Sequence, residues 1–418
     1  MLSRHAERYP TVSVGIKMKQ LVRRMRTEGA PGQFPFLDDW ELFFEVDEHA
    51  QTSPHLEQLT TGGQYAGIDR AFIAGEKLQG IYGHLVGFTE PSLAETDNST
   101  ISIFSCSCDR VVDTAHQFAS GFFGKHAFEE SVTHVIIPDR APERGADTLT
   151  PVKACTRYRA DPILGRSNSV TIASTYKATY LSSTADRLRN LYNFEFSVSE
   201  LWTMQELCGF NILATGDKGN PWCGIFTEKE WEHFEYARDL LHYYRTGPGT
   251  PYSETMGFIY LDATKRVLEQ EPQKAGKLFF SFAHDGDLVP LITTLGLFAD
   301  SSPLPATHAV DDRKWRLSSV VPMGGRIIFE RVSCSTAASE PGVRLLVNDA
   351  VMTIPGCEKF ARKEGNICPL AKFIEIVNGI GERVGDFEKI CQIDKSVAGK
   401  RPSFLNHHSQ NESGRVFL

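Results

Sequence analysis

The chain has 418 residues, 41% hydrophobic and 23% charged, enough to bury one large core or two adjoining ones and too apolar for a disordered polymer. Its net charge of -8, from 44 Lys+Arg against 52 Asp+Glu, comes with no basic run or stripe, which excludes nucleic acid and anionic membrane surfaces as general partners. No stretch approaches the roughly 18 apolar residues of a bilayer span, and the first residues lack the apolar core of a signal peptide.

The chain opens on MLSRHAERYP, which sets Arg4, His5 and Arg8 within five positions ahead of a Tyr-Pro turn. The following TVSVGIKMKQLVRRMRTEGA puts Val14, Met18, Leu21, Val22 and Met25 on one helical face and stops at Gly29, so the Arg-His cluster sits in the loop feeding a helix. STISIFSCS predicts a strand, with Cys106 and Cys108 alternating onto one face as packed small side chains rather than metal ligands. DRVVDTAHQFASGFFG predicts a helix capped by Asp109, with Arg110 in its first turn.

VTHVIIP predicts another strand, and a long helical region follows, in which Thr227 and Glu230 form a capping box and Gly-Pro-Gly ends the run. GKLFFSFA predicts a strand leading through His284-Asp285 into the helical HDGDLVPLITTLGLF, with Leu288, Leu291 and Leu295 at helical spacing. Asp285 and Asp287 are also candidate caps of that helix. GGRIIFERVSC and VRLLVNDAVMTIP predict two strands paired as a hairpin, and the polar tail beyond Cys391 predicts disorder.

Strands alternating with helices define an α/β class: a doubly wound mixed sheet with a smaller, mainly helical part. The expected division is a discontinuous α/β domain of 1–30, 95–140 and 250–395, a helical cap of 31–94 and 141–249, and a tail of 396–418. Ligands of such sheets bind beyond the carboxyl ends of the strands, where Arg4-His5-Arg8, Arg110 and His284-Asp285 all fall.

Nine cysteines without C-x-x-C or Cys/His metal spacing point to disulfides, and Asn98 and Asn411 stand in glycosylation sequons. Both suit an extracellular or cell-wall protein whose leader is not part of this chain. His407-His408 lies in the polar tail and reads as solvated. No G-x-x-x-x-G-K-[ST], G-x-S-x-G or H-E-x-x-H is present.

Chemically, Arg4, Arg8 and Arg110 offer planar forks matched to phosphate oxygens, and helix N-termini add amide donors. A histidine among them keeps a nitrogen lone pair, because neighbouring cations disfavour imidazolium, so His5 is a candidate nucleophile. Asp285 is a candidate proton donor to a leaving oxygen, and His284 a further phosphate ligand. By itself each motif is also compatible with a solvated ionic surface or a helix cap.

Together these residues resemble the histidine acid phosphatases, of the fungal secreted acid phosphatase and phytase type, whose signature is Arg-His-Gly-x-Arg-x-Pro with a distant His-Asp. The resemblance runs on through FSCSCDRVVDTAHQF, the CGIFTEKEWEHFEYARDLLHYYRTGPG segment and LVNDAVMTIPGC, and so covers nearly all but the tail. It implies His5 as the residue that becomes phosphorylated, Arg4, Arg8, Arg110 and His284 as phosphate ligands, and Asp285 as the proton donor. It further implies disulfides Cys155–Cys391, Cys208–Cys223 and Cys357–Cys368, with no partner here for Cys334.

The substrates implied are small phosphate monoesters, with no cofactor, metal, nucleic acid or membrane required, and self-association into a homo-oligomer is allowed. A phytase acting on inositol hexakisphosphate and a catalytically impaired secreted glycoprotein are the alternatives. A phosphoglycerate-mutase-like transferase ranks last, since its short cytosolic chains would not need these cysteines. Two departures motivate the impaired reading: Ala6 replaces the signature glycine, and the central strand expected ahead of His5 is missing, which would leave neighbouring strands with unpaired backbone groups.

Overall fold

The structure, a computed structural model, describes residues 1–86, 101–333, 340–361, 365–397, 399, 401–403 and 405. Cys334, His407, His408, Asn98 and Asn411 lie outside the described residues. Strands β1 (Leu2–Arg4), β2 (Ile101–Cys106), β3 (Val132–Ile137), β4 (Phe280–Ala283), β5 (Arg326–Val332), β6 (Gly342–Val347), β7 (Ala350–Met352) and β8 (Cys368–Pro369) form one sheet. Its order is β3-β2-β4-β1-β5-β6-β7, with β8 pairing with β6. β1 to β4 run parallel to one another, and β5 turns the sheet antiparallel.

Nine helices of ten residues or more are present among the described residues: α1 (Val12–Glu28), α2 (Gly67–Tyr82), α3 (Asp109–Phe123), α4 (Asn168–Tyr192), α5 (Val198–Thr215), α6 (Glu228–Arg245), α7 (Ser253–Glu269), α8 (Asp285–Thr294) and α9 (Leu370–Val384). Alternation along β4 separates two helix layers. Phe280 and Phe282 meet the Phe118 ring of α3 at 5.0 and 5.2 Å, while Ser281, pointing the other way, meets Tyr260 of α7. α9 joins the sheet further along, where Phe373 packs on Phe329 of β5.

α2 lies against α3 at a separation only glycine allows. A Cβ on Gly75 would stand 2.1 Å from the Phe118 carbonyl oxygen, and one on Gly121 would stand 2.1 Å from that of Phe72. In the helical part, Ser197 with Glu200 and Thr227 with Glu230 close capping boxes at the starts of α5 and α6. The Cys208–Cys223 bond ties α5 to the loop before α6. Glu230 also pairs with Arg187 of α4 at 2.6 Å, which joins the three helices.

The sequence reading needs four corrections. The central strand is present: β1, three residues long, pairs with β4 from Leu2↔Ser281 to Arg4↔Ala283 and with β5 at Leu2↔Ile327 and Ser3↔Arg326. Three residues suffice because β4 itself has only four. Cys108, not Asp109, is the N-cap of α3, and it lies beyond the strand that holds Cys106. The VRLLVNDAVMTIP stretch is two strands, β6 and β7, joined at Asn348-Asp349, whose φ values of 51° and 70° make the two-residue turn that favours Asn and Asp. The tail is partly docked: Ser403 donates from N and Oγ to Asp147, and Leu405 is buried.

Candidate active site

Because β1, β2, β3 and β4 are parallel, their carboxyl ends open on the same edge of the sheet. Each delivers polar residues there. β1 ends at Arg4 and hands over to His5, β4 hands over to His284 and Asp285, β2 leads through Cys106 and Cys108 to Arg110 on α3, and β3 leads to Asp139. All six residues expected to act together converge at this edge, since Arg4, Arg8, Arg110 and Asp285 each lie within electrostatic reach of His5.

The backbone fixes the loop after β1 tightly. Arg4 N–H donates to Gly325 O at 2.8 Å, His5 N–H to Ala283 O at 3.1 Å, and Gly324 N–H to His5 O at 2.9 Å. Ala6 N–H donates to Thr114 Oγ1 at 3.0 Å, and that hydroxyl donates on to Arg110 O at 2.6 Å, so one threonine couples the loop to the start of α3.

His5 is 2% exposed. Its Nδ1 lies 2.8 Å from Ala6 O, a carbonyl that can only accept, so Nδ1 carries the proton and Nε2 keeps its lone pair. Burial, then Arg4, Arg8 and Arg110, hold the imidazolium form well below the usual histidine range. Burial and the three guanidinium groups thus favour the neutral imidazole, with the Nε2 lone pair available.

Three guanidinium groups surround it. Burial, then Arg110 and Arg4, pull Arg8 down to about 9. The buried Nε atoms of Arg4, Arg8 and Arg110 have no acceptor among the described residues, which is costly unless a ligand supplies one. Arg4 spends its other donors on Val321 O at 2.7 Å and on Asp285 Oδ2 at 3.1 Å. Burial works against ionising Asp285, but the charge of Arg4, with that of Arg245 beyond it, prevails and holds its carboxyl well below the usual range.

His284, the N-cap of α8, faces His5 edge to face with ring centroids 5.8 Å apart. Burial, Arg110 and Lys153 lower it to about 3. Lys153 is a residue sequence reasoning missed: its Nζ lies 3.4 Å from His284 Nε2 and pairs with Asp139 Oδ2. Thr114, Asp139, His242 and Arg245 were missed with it. No motif marks them, because each reaches the site only through the fold.

Ala6 shows no strain. It is not among the described non-glycine residues with positive φ, and its side chain packs with Leu59, Ala71 and Ile68. The cysteines implied by the resemblance pair as expected, Cys155–Cys391, Cys208–Cys223 and Cys357–Cys368, while Cys106 and Cys108 form no disulfide among the described residues.

Parallel strands that end in a histidine ringed by arginines, with a His-Asp pair at the next strand, bring together the donors and the lone pair that phosphoryl transfer requires. Residues 1–348 match the histidine phosphatase superfamily (branch 2), and the chain belongs to that family. It is 29% identical to an acid phosphatase of Komagataella pastoris over 95% of this chain and 80% of that one. It is 30% identical to a phytase of Candida albicans, covering 94% of this chain and 79% of the relative. The crystal structure of the phytase from D. castellii superposes with a TM-score of 0.84 at 25% identity, covering 100% of this chain and 85% of that one.

Proposed function

We propose that the chain is an acid phosphatase hydrolysing phosphate monoesters through a phosphohistidine. The observation that carries this reading is the trio of buried arginine Nε donors, unsatisfied within the protein, around a neutral histidine whose lone pair is at Nε2. A phosphoryl group supplies the missing acceptors. His5 Nε2 forms the N–P bond as the ester P–O bond breaks, Asp285 gives its proton to the leaving oxygen, and Arg4, Arg8, Arg110 and His284 hold the phosphoryl oxygens. Water then attacks phosphorus, Asp285 takes a proton from it, and the N–P bond breaks.

Asp285 starts as a carboxylate paired with Arg4, so it needs a proton before it can act as the acid. A bound phosphate draws Arg4 to itself and puts negative charge beside Asp285, and both changes raise the carboxyl's pKa. His5→Ala is expected to lower turnover by at least about a thousandfold. Rapid quenching at high pH is expected to trap an acid-labile phosphoenzyme in the native protein and none in this variant. A phosphoenzyme retained in His5→Ala would overturn the assignment.

A polyphosphorylated substrate of the phytase kind is favoured by a second group of cations. Arg166 is lowered by burial and by Arg245, Arg140 and Arg159, which gather around it, and Arg245 also reaches Asp285. Arg166→Ala is expected to raise KM for phytate several-fold while leaving KM for p-nitrophenyl phosphate unchanged. We place the protein in an oxidising compartment outside the cell on the strength of the three disulfides among the described residues. A mass shift on enzymatic deglycosylation of protein from its natural host would support that. No helix of the described residues is long and apolar enough to cross a membrane.

A further inference from the structure

Beside the phosphate cradle, where β2, β3 and β4 end, the ligand-bearing atoms of Cys106, Asp139 and His284 lie within 4.8 Å of one another. Cys106 Sγ and His284 Nε2 are 3.6 Å apart. A tetrahedral zinc-type ion with a thiolate at about 2.3 Å and an imidazole at about 2.0 Å holds those two atoms roughly 3.5 Å apart. The backbone therefore already sets the bite of a thiolate–imidazole pair. Sheet register fixes it, since Cys106 ends β2 and His284 directly follows β4.

The same spot already attracts a cation. The Lys153 ammonium pairs with Asp139 Oδ2 and stands 3.4 Å from His284 Nε2, and its side chain is 22% exposed, free to swing outward. Asp139 Oδ1 is buried without a partner. Behind the cluster Asp287, 4% exposed, also has an oxygen, Oδ1, without a partner. Soft sulfur, borderline nitrogen and one carboxylate suit zinc and cadmium better than magnesium or calcium.

We propose that Cys106, Asp139 and His284 form an inhibitory site for a thiophilic divalent cation. On binding, the Cys106 thiol releases its proton to solvent, Lys153 leaves still protonated, and the ion bonds to Cys106 Sγ, His284 Nε2 and an Asp139 oxygen with no change of oxidation state. His284 is then withheld from phosphate, so occupancy and turnover exclude each other. Binding stands on the cluster's geometry alone, whereas the inhibition rests on the reading of His284 as a phosphate ligand.

Cadmium is the probe, read by equilibrium dialysis and by the ultraviolet thiolate-to-cadmium charge-transfer band, neither of which needs turnover. The native protein is expected to bind one cadmium per chain with the band present and to lose phosphatase activity in parallel. Cys106→Ser, or Cys106→Ala should the serine variant fail to fold, is expected to lose the band and weaken binding by about 10- to 100-fold. Cys108→Ser is expected to keep both, and Lys153→Gln, lacking the competing ammonium, to bind about tenfold more tightly. No stoichiometric binding, or a band that survives loss of Cys106, would overturn the site. Cys106-dependent binding that leaves turnover intact would overturn its inhibitory role and, separately, the role given to His284.

Discussion

Ala6 carries a methyl group beside His5, on ordinary backbone and against Leu59, Ala71 and Ile68. Ala6→Gly is accordingly expected to leave kcat within about twofold and to lower unfolding free energy by roughly 0.5–1 kcal/mol in urea titrations, since glycine gains freedom mainly in the unfolded chain. At Asp285 the expectation is kinetic. Asp285→Asn should cost about 10²- to 10⁴-fold on alkyl phosphates and far less on p-nitrophenyl phosphate, whose leaving group needs no proton. With Asp285 as the proposed acid, kcat of the native enzyme should fall as pH rises through the carboxyl's pKa in the complex, and the asparagine variant should lose that limb. Arg4, His5, Arg8, Arg110, His284 and Asp285 were legible because two short motifs and one strand-to-helix junction hold them. Lys153 was not, because it follows an unremarkable threonine-proline turn and meets His284 from 131 residues away.

Among the elements, the α2–α3 contact is the most sensitive to one carbon atom. Gly121→Ala puts a Cβ into the Phe72 carbonyl of the facing helix, and a loss of about 1–3 kcal/mol is expected in urea or thermal unfolding. A matched substitution at Gly80, where a Cβ meets nothing within 4 Å, should be neutral or slightly stabilising. Hydrophobic periodicity made α1, α3, α6, α8 and the strands β2 to β5 readable, since each buries one face or lies wholly inside. It failed at β1, where three residues are too few to show any period. It failed again at β6 and β7, where Asn348-Asp349 reverses the chain inside one apolar run.

Across the whole molecule, acid stability is set partly by histidines that fold in neutral. Burial, with His116 next to it, lowers His134 to about 3, while its Nε2 meets Ser105 Oγ at 2.8 Å and its Nδ1 has no partner among the described residues. An unfolded histidine protonates near 6.5, so between about 6.5 and 3 the unfolded chain binds the extra proton and stability falls as pH falls. His134→Gln should flatten that limb by at most about 1.4 kcal/mol per pH unit, checked by melting temperature against pH. The Cys155–Cys391 bond acts at the same scale. It joins segments 236 residues apart inside a cluster of Tyr158, Tyr252, Met256, Ile259 and Phe387, and replacing both cysteines with serine should cost about 2–5 kcal/mol.

The three-residue strand that ends at Arg4, next to His5, also sets a schedule. Leu2 pairs with Ser281 and Ile327, so β1 has neither neighbour until some 280 further residues have been made. At about 5–20 residues per second, that is roughly 15–60 seconds of synthesis in which Arg4 and His5 stay outside any sheet. Arg4 and His5 are thus among the first parts of the described chain to leave the ribosome and among the last to find their place in the sheet edge.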